Sequence, residues 1–113
     1  MPDLDQIFQL KISETALFAD LNVSVLARDV VEDYRCPTNV DCNMPGWVTV
    51  SFHVTIEDID YFFQLKLDPL KPQDAEKEIG GYKVRLVTVN PQPSNITEIA
   101  LEDYSFSLVV ENE

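Results

Sequence analysis

His53 is the only histidine of the chain, which makes it the first residue to consider for acid–base chemistry. It lies in an alternating segment beside Ser51 and Thr55, so one hypothesis is a small enzyme that uses His53 with nearby hydroxyls and carboxylates. No nucleophile-elbow glycine pattern surrounds any serine, and a half-exposed strand histidine explains the same residues. We therefore predict that the protein is not an enzyme and has no catalytic residues.

Cys36 and Cys42 are the only cysteines, and they lie six positions apart around a proline and an Asn-Val-Asp turn. A disulfide between them is our first interpretation. It would stabilise the fold by roughly 2–2.5 kcal/mol through chain entropy and would indicate an oxidising compartment. Two reduced thiols, or half of a metal site, are the alternatives that stay open. Structural zinc needs four Cys or His ligands, and the chain has too few, so we expect no metal. The three glycines do not form a phosphate-binding motif, so we expect no cofactor either.

The charge of the chain limits its partners. Twenty acidic residues against eight basic ones give a formal charge of −12. This charge argues against binding nucleic acid, which needs a basic face, and against docking on anionic lipid. It suits a protein partner with a basic surface, or a divalent cation. The acidic stretches at 57–60, 74–78 and 102–103 lack the spacing of the calcium-binding helix–loop–helix, so we interpret them as solvated turns, with a loop calcium site as the alternative. Stretch 57–60 is predicted to join two strands as a hairpin.

The N-terminus and the hydropathy give two expectations about location. No apolar run is long enough to span a bilayer, so we expect no membrane insertion of this segment. The first residues lack the basic and apolar regions of a signal peptide. That is the expectation for a cytoplasmic protein, and equally for an exported protein that has lost its signal.

The elements that must position these residues show a period of two in hydrophobicity, typical of half-buried strands. Only one short helix is expected, over residues 73–79, ended by Gly80 and Gly81. The pattern predicts an all-β antiparallel sandwich, immunoglobulin-like or small and barrel-like, with six to eight strands in one domain over residues 1–113. The six clearest strands are predicted over residues 6–12, 21–25, 47–56, 61–67, 82–86 and 104–110.

Several segments together resemble a known family. Residues 31–42 contain an Arg-Cys-Pro-x-x-Val-x-Cys loop that follows an acidic residue pair, and Gly46 and an alternating strand come after it. Residues 81–82, 89–93 and 102–104 add a Gly-Tyr strand start, a Val-Asn-Pro-Gln-Pro strand end and a Glu-Asp-Tyr strand start. In these features the chain resembles a family of small bacterial secreted proteins and lipoproteins of unknown function.

The resemblance implies a β-sandwich exported to the periplasm or the cell surface, and it implies no catalytic residues. The chain departs from the family pattern at Tyr34, where the family usually has serine, and at Met44, where it usually has tryptophan. Neither departure touches the cysteines, but both change the side chains around the loop.

The binding residues that we predict are partly in the cysteine loop and partly on a strand. Trp47 and Phe62 fall on the opposite register from their apolar neighbours, so either could anchor a partner. We interpret the protein as a non-enzymatic exported binding or structural module that presents loops 34–47 and 91–95. A peptidase inhibitor built on the same loops is the alternative. We expect a monomer or a weak dimer that pairs through edge strand 105–110 or through the face of Phe62. The predicted binding residues are Tyr34, Arg35, Met44, Trp47 and Phe62.

Overall fold

The computed structural model describes residues 3–38, 40–94 and 98–112, and these residues form an antiparallel β-sandwich. No helix in the described ranges is long and apolar enough to cross a membrane. Three short 3₁₀ turns, at Ala19–Leu21, Pro72–Ala75 and Leu101–Asp103, lie between strands. The strands are β1 (Phe8–Lys11), β2 (Thr15–Phe18), β3 (Val23–Asp33), β4 (Val48–Ile56), β5 (Ile59–Leu67), β6 (Glu76–Ile79), β7 (Tyr82–Asn90) and β8 (Ser105–Asn112).

Each of the two sheets contains four strands, in the orders β1-β8-β7-β6 and β2-β3-β4-β5. Strands β3 to β5 follow one another as neighbours in one sheet, and β6 to β8 do so in the other. The chain changes sheets between β1 and β2 and again through residues 68–75. The predicted all-β sandwich is therefore confirmed, and its eight strands lie within the predicted range.

The core lies between the two sheets and is built from the alternation seen in the sequence. The inward positions of β4 are all buried, and Phe52 at their centre meets Phe106 of the opposite sheet with 6.2 Å between ring centres. Burying each such side chain stabilises the fold by about 1.5–3 kcal/mol relative to leaving it in water. The inward row of β4 consists of Val48, Val50, Phe52, Val54 and Ile56.

The predicted acidic hairpin between β4 and β5 is also present. Glu57 and Asp58 both take left-handed backbone angles, with φ of 49° and 67°. Two successive left-handed residues match the right-handed twist of the strands that they join, which is why this two-residue turn closes a hairpin. The turn sets the β4–β5 register, so that His53 lies opposite Phe62.

The predicted helix over residues 73–79 is wrong. Its first part is the 3₁₀ turn Pro72–Ala75, and its second part is strand β6, which pairs with β7. Ala75 and Ile79 are buried and four residues apart, a spacing that imitates one face of a helix. Gly80 and Gly81 have φ of +55° and +86°, so they close a hairpin instead of ending a helix. The alternation in the sequence also missed β2 and all of β3 beyond residue 25.

The predicted edge strand over residues 105–110 is also wrong. These residues belong to β8, which pairs with β1 over residues 105–108 and with β7 over its full length, so β8 is an inner strand of its sheet. A sequence pattern reports which residues face the core, but it does not report the order of strands. The other predicted route to a weak dimer, through the face of Phe62, stays a prediction.

Candidate functional site

The cysteine loop lies between β3 and β4. Cys36 and Cys42 form a disulfide, as predicted, and the structure describes no free cysteine in the ranges that it covers. We call residues 34–47 the pinned loop, because several further contacts hold its base.

Backbone hydrogen bonds extend the β3–β4 ladder into the pinned loop. The N–H of Tyr34 donates to the carbonyl of Trp47 at 2.7 Å, and the N–H of Cys36 donates to the carbonyl of Pro45 at 2.9 Å. Gly46 makes this close approach possible, because a Cβ there would stand 1.9 Å from the carbonyl oxygen of Tyr34. Its φ of +73° also favours glycine. The base of the loop is therefore a tight extension of the sheet.

Arg35 clamps the pinned loop to the opposite sheet. Its Nε and Nη2 donate to the two carboxylate oxygens of Asp33, each at 2.8 Å. Its Nη1 donates to the carbonyl of Val89 at 2.8 Å, and Nη2 also donates to that of Pro91 at 3.0 Å. The two charged side chains are only 11% and 14% exposed. Arg35, which we predicted to be a binding residue, is thus engaged inside the protein and joins loop 34–47 to the start of loop 91–95.

A tyrosine completes this network. Asp33 lies opposite the buried Val48, which places its carboxylate on the inner side of the sheet, and the hydroxyl of Tyr104 donates to it at 2.8 Å. Burial acts to raise the pKa of Asp33, but hydrogen bonds from Arg35 and Tyr104 outweigh it and hold this pKa below its usual value. Burial, together with the bond to Asp33, raises the pKa of Tyr104 to about 12. The carboxylate is therefore ionised and the phenol neutral at neutral pH.

Three large apolar side chains are exposed among the described residues of the pinned loop. Tyr34 and Met44 are each 61% exposed, and Val40, inside the disulfide ring, is 39% exposed. Tyr34 and Met44 were predicted as binding residues, whereas Val40 was missed, although its position between the cysteines was the available signal. The loop therefore presents apolar groups to solvent on a backbone that is fixed at its base.

Trp47 is held on the outer face of the sheet. Its indole N–H donates to the Glu32 carboxylate, the ring of Tyr34 meets it edge-on at 5.3 Å, and Lys66 Nζ lies 4.4 Å from its ring centre. These neighbours explain how a large aromatic residue can occupy the opposite register from the core and still be half-buried. Trp47 therefore packs against Tyr34 on this face, and its role as an anchor for a partner stays a prediction.

Phe62 forms a separate aromatic surface on the same outer face. It is 60% exposed, the ring of His53 stacks on it at 4.3 Å, and the Arg28 guanidinium carbon lies 5.2 Å from its ring centre. Six residues of extended chain separate His53 from Trp47, a distance of about 20 Å along the strand. The structure therefore does not bring Phe62 together with the pinned loop.

The surroundings of His53 do not make a catalytic relay. Its Nε2 lies 2.9 Å from Asp60 Oδ1 and 3.3 Å from Thr55 Oγ1, so both groups meet the same ring nitrogen. The Thr55 hydroxyl also donates to Asp60 at 2.9 Å, which uses its single proton. Hydrogen bonds from His53 and Thr55 lower the pKa of Asp60. A triad needs the nucleophile and the orienting carboxylate at opposite nitrogens of the imidazole. Thr55 and Asp60 share Nε2 instead, so this geometry gives the His53 enzyme hypothesis no support.

No group of three or more His, Cys, Asp or Glu side chains within the described ranges is arranged to hold a metal ion. The second predicted loop, 91–95, ends at Asn95, which lies outside the described residues. Its start contacts the pinned loop, because the N–H of Thr38 donates to the carbonyl of Pro93 at 3.0 Å.

Comparison with known proteins does not assign this chain to a family. No protein-family model, no curated protein and no solved structure matches this chain. The resemblance to small secreted bacterial proteins therefore stays a prediction that rests on the motifs in the sequence.

Proposed function

We propose that this protein is a non-enzymatic binding module whose contact surface is the pinned loop. One observation carries the proposal: the loop exposes Tyr34, Val40 and Met44 on a backbone held by a disulfide and by the Arg35 clamp. Aromatic residues and methionine are enriched in protein–protein interfaces. A loop that is already ordered loses little conformational entropy on binding, so more of the contact energy contributes to affinity.

The partner that fits this surface is a protein with a basic region around an apolar pocket. The formal charge of −12 attracts a basic partner and accelerates association at low salt. Apolar loop residues would then fill a pocket on that partner. Binding should accordingly weaken as salt increases, mainly through a slower association rate.

The compartment that suits this module lies outside the cytoplasm. A disulfide persists in oxidising compartments, and the motif resemblance is to exported proteins. The test is to trap thiols with an alkylating reagent in the producing cells and to determine the mass of the protein. We expect Cys36 and Cys42 to be unmodified by the reagent. Alkylation of both cysteines would contradict export.

Site-specific cross-linking tests the contact surface. A photo-reactive residue is placed at Met44 in the producing cells, and a control is placed at Lys77, which is exposed on β6 in the other sheet. We expect a partner protein to be captured from position 44 and not from position 77. Identical products from both positions, or none from position 44, would contradict the proposal.

Affinity measurements with the captured partner show which exposed aromatic residue contributes to the binding free energy. Tyr34→Ser should weaken binding at least about tenfold, the cost of removing one interface anchor. Phe62→Ser removes an aromatic residue of nearly equal exposure from the other surface and should leave affinity unchanged. If Phe62→Ser weakens binding and Tyr34→Ser does not, the contact surface lies at Phe62 and not at the pinned loop.

A peptidase inhibitor is a narrower form of the same proposal. A protruding loop fixed at its base can enter the cleft of a peptidase without being ordered there, and Met44 is an exposed side chain on such a loop. An inhibition screen with serine, cysteine, aspartic and metallopeptidases tests this version. Inhibition that Met44→Asp abolishes would support it. No inhibition by the oxidised protein would leave only the broader binding module.

A further inference from the structure

A cavity of about 370 Å³ lies away from the pinned loop, where the crossing between the two sheets passes β7. Most of its lining is apolar, and its size lies in the range of about 300–1,000 Å³ that is usual for sites of small ligands. Its wall combines the residue before β1, the segment that follows β5 and the middle of β7. The apolar side chains are those of Ile7, Leu67, Pro69, Pro72, Leu86 and Val87.

Arg85 is the only cation among the described residues that line this cavity. Its side chain is 46% exposed, and its Nη2 lies 3.4 Å from Glu111 Oε1. A guanidinium has five N–H donors in a planar fork, so one loose contact leaves most of them free for an anionic ligand.

The carboxylate of Asp68 also lines the cavity, and it is hydrogen-bonded within its own turn. Asp68 is buried, and its Oδ1 accepts the N–H of Leu70 at 2.9 Å within its own turn. Glu111 contacts Arg85, whereas acidic side chains more than about 8 Å away act weakly on it, because salt screens surface charges over that distance at physiological ionic strength. Arg85 therefore supplies the donors for an anionic group in this lining, and a ligand carboxylate competes with Glu111 for them.

We propose that this cavity binds a small amphipathic carboxylate. The aliphatic or aromatic tail lies among the apolar side chains, and the carboxylate accepts hydrogen bonds from the Arg85 guanidinium. Arginine recognises a carboxylate through two parallel hydrogen bonds, which also fixes the orientation of the ligand. The site shares no residue with the pinned loop, so the two proposals can fail independently.

Calorimetric titration with three ligands of one chain length tests the proposal: octanoate, octanol and octylamine. We expect octanoate to bind, octanol to bind about tenfold or more weakly, and octylamine to bind more weakly still. The difference follows from the loss of a hydrogen-bonded charge pair. No binding of octanoate, or equal binding of octanoate and octanol, would overturn the proposal.

Two matched variants locate the carboxylate. Arg85→Gln should remove the preference for octanoate over octanol, whereas Lys83→Gln should preserve it. Lys83 is a cation of the same strand that does not line the cavity. Backbone amide shifts should change at Leu86 and Val87 on addition of octanoate. An unchanged preference in Arg85→Gln, or shifts confined to other strands, would refute the assignment.

Discussion

Replacing Arg35 by glutamine tests whether the pinned loop is clamped as the structure indicates. The Arg35–Asp33 pair is largely buried, and breaking a buried pair by removing one partner costs roughly 3–5 kcal/mol. The remaining exposure lets water reach Asp33, so we take the lower end and expect a loss of about 3 kcal/mol. For a domain near this size the loss lowers the melting temperature by about 12 °C.

Equilibrium denaturation in guanidinium chloride at neutral pH is the assay, with the slope of the transition checked for equality among variants. Arg85→Gln is the control, because its contact with Glu111 is 3.4 Å long and only partly buried, and such loose pairs contribute under about 1 kcal/mol. Arg35→Lys should recover little, since an ammonium cannot replace the bidentate fork. A cost for Arg35→Gln within 1 kcal/mol of the control would refute the reasoning.

Three other predictions concern the same region. Replacing Cys36 and Cys42 by serine should lower the free energy of unfolding by about 2 kcal/mol in denaturant titrations, from loop entropy alone. Gly46→Ala should cost at least about 2 kcal/mol more than Gly81→Ala, because both have positive φ but only Gly46 meets backbone where the Cβ would stand. Equal costs would contradict this. Phenolate absorbance should show Tyr104 ionising near pH 12, and Tyr104→Phe should abolish that step. Because the pKa of Tyr104 is higher in the folded protein than in the unfolded chain, the neutral phenol stabilises the fold. This contribution to the free energy of unfolding is complete below pH 10 and is lost between about pH 10 and 12.

The sandwich could be predicted because its strands carry a regular alternation. The inward row of β4 and the acidic hairpin that follows it were visible in the order of residue types alone. Strand β6 was hidden, because Ala75 and Ile79 have the spacing of a helix face and only pairing with β7 makes the segment a strand. Tertiary pairing here overrides a weak local preference.

The exposed residues of the pinned loop could be predicted in part, but the network that holds the loop could not. The apolar character of Tyr34 and Met44 near the cysteines marked the loop. The role of Arg35 depends on carbonyls more than fifty positions away, at Val89 and Pro91, which no local pattern indicates. The cavity beside Arg85 was not predicted, since its wall comes from three separate parts of the chain.

Native-state hydrogen exchange of the loop amides tests the central claim most directly, because the proposed function requires the pinned loop to be ordered before it binds. The amides of Tyr34, Cys36 and Thr38 donate to backbone carbonyls in the structure. We predict that they exchange as slowly as amides at the ends of the strands, and that Arg35→Gln accelerates all three. Exchange as fast as that of an unstructured chain in the native protein would contradict the claim.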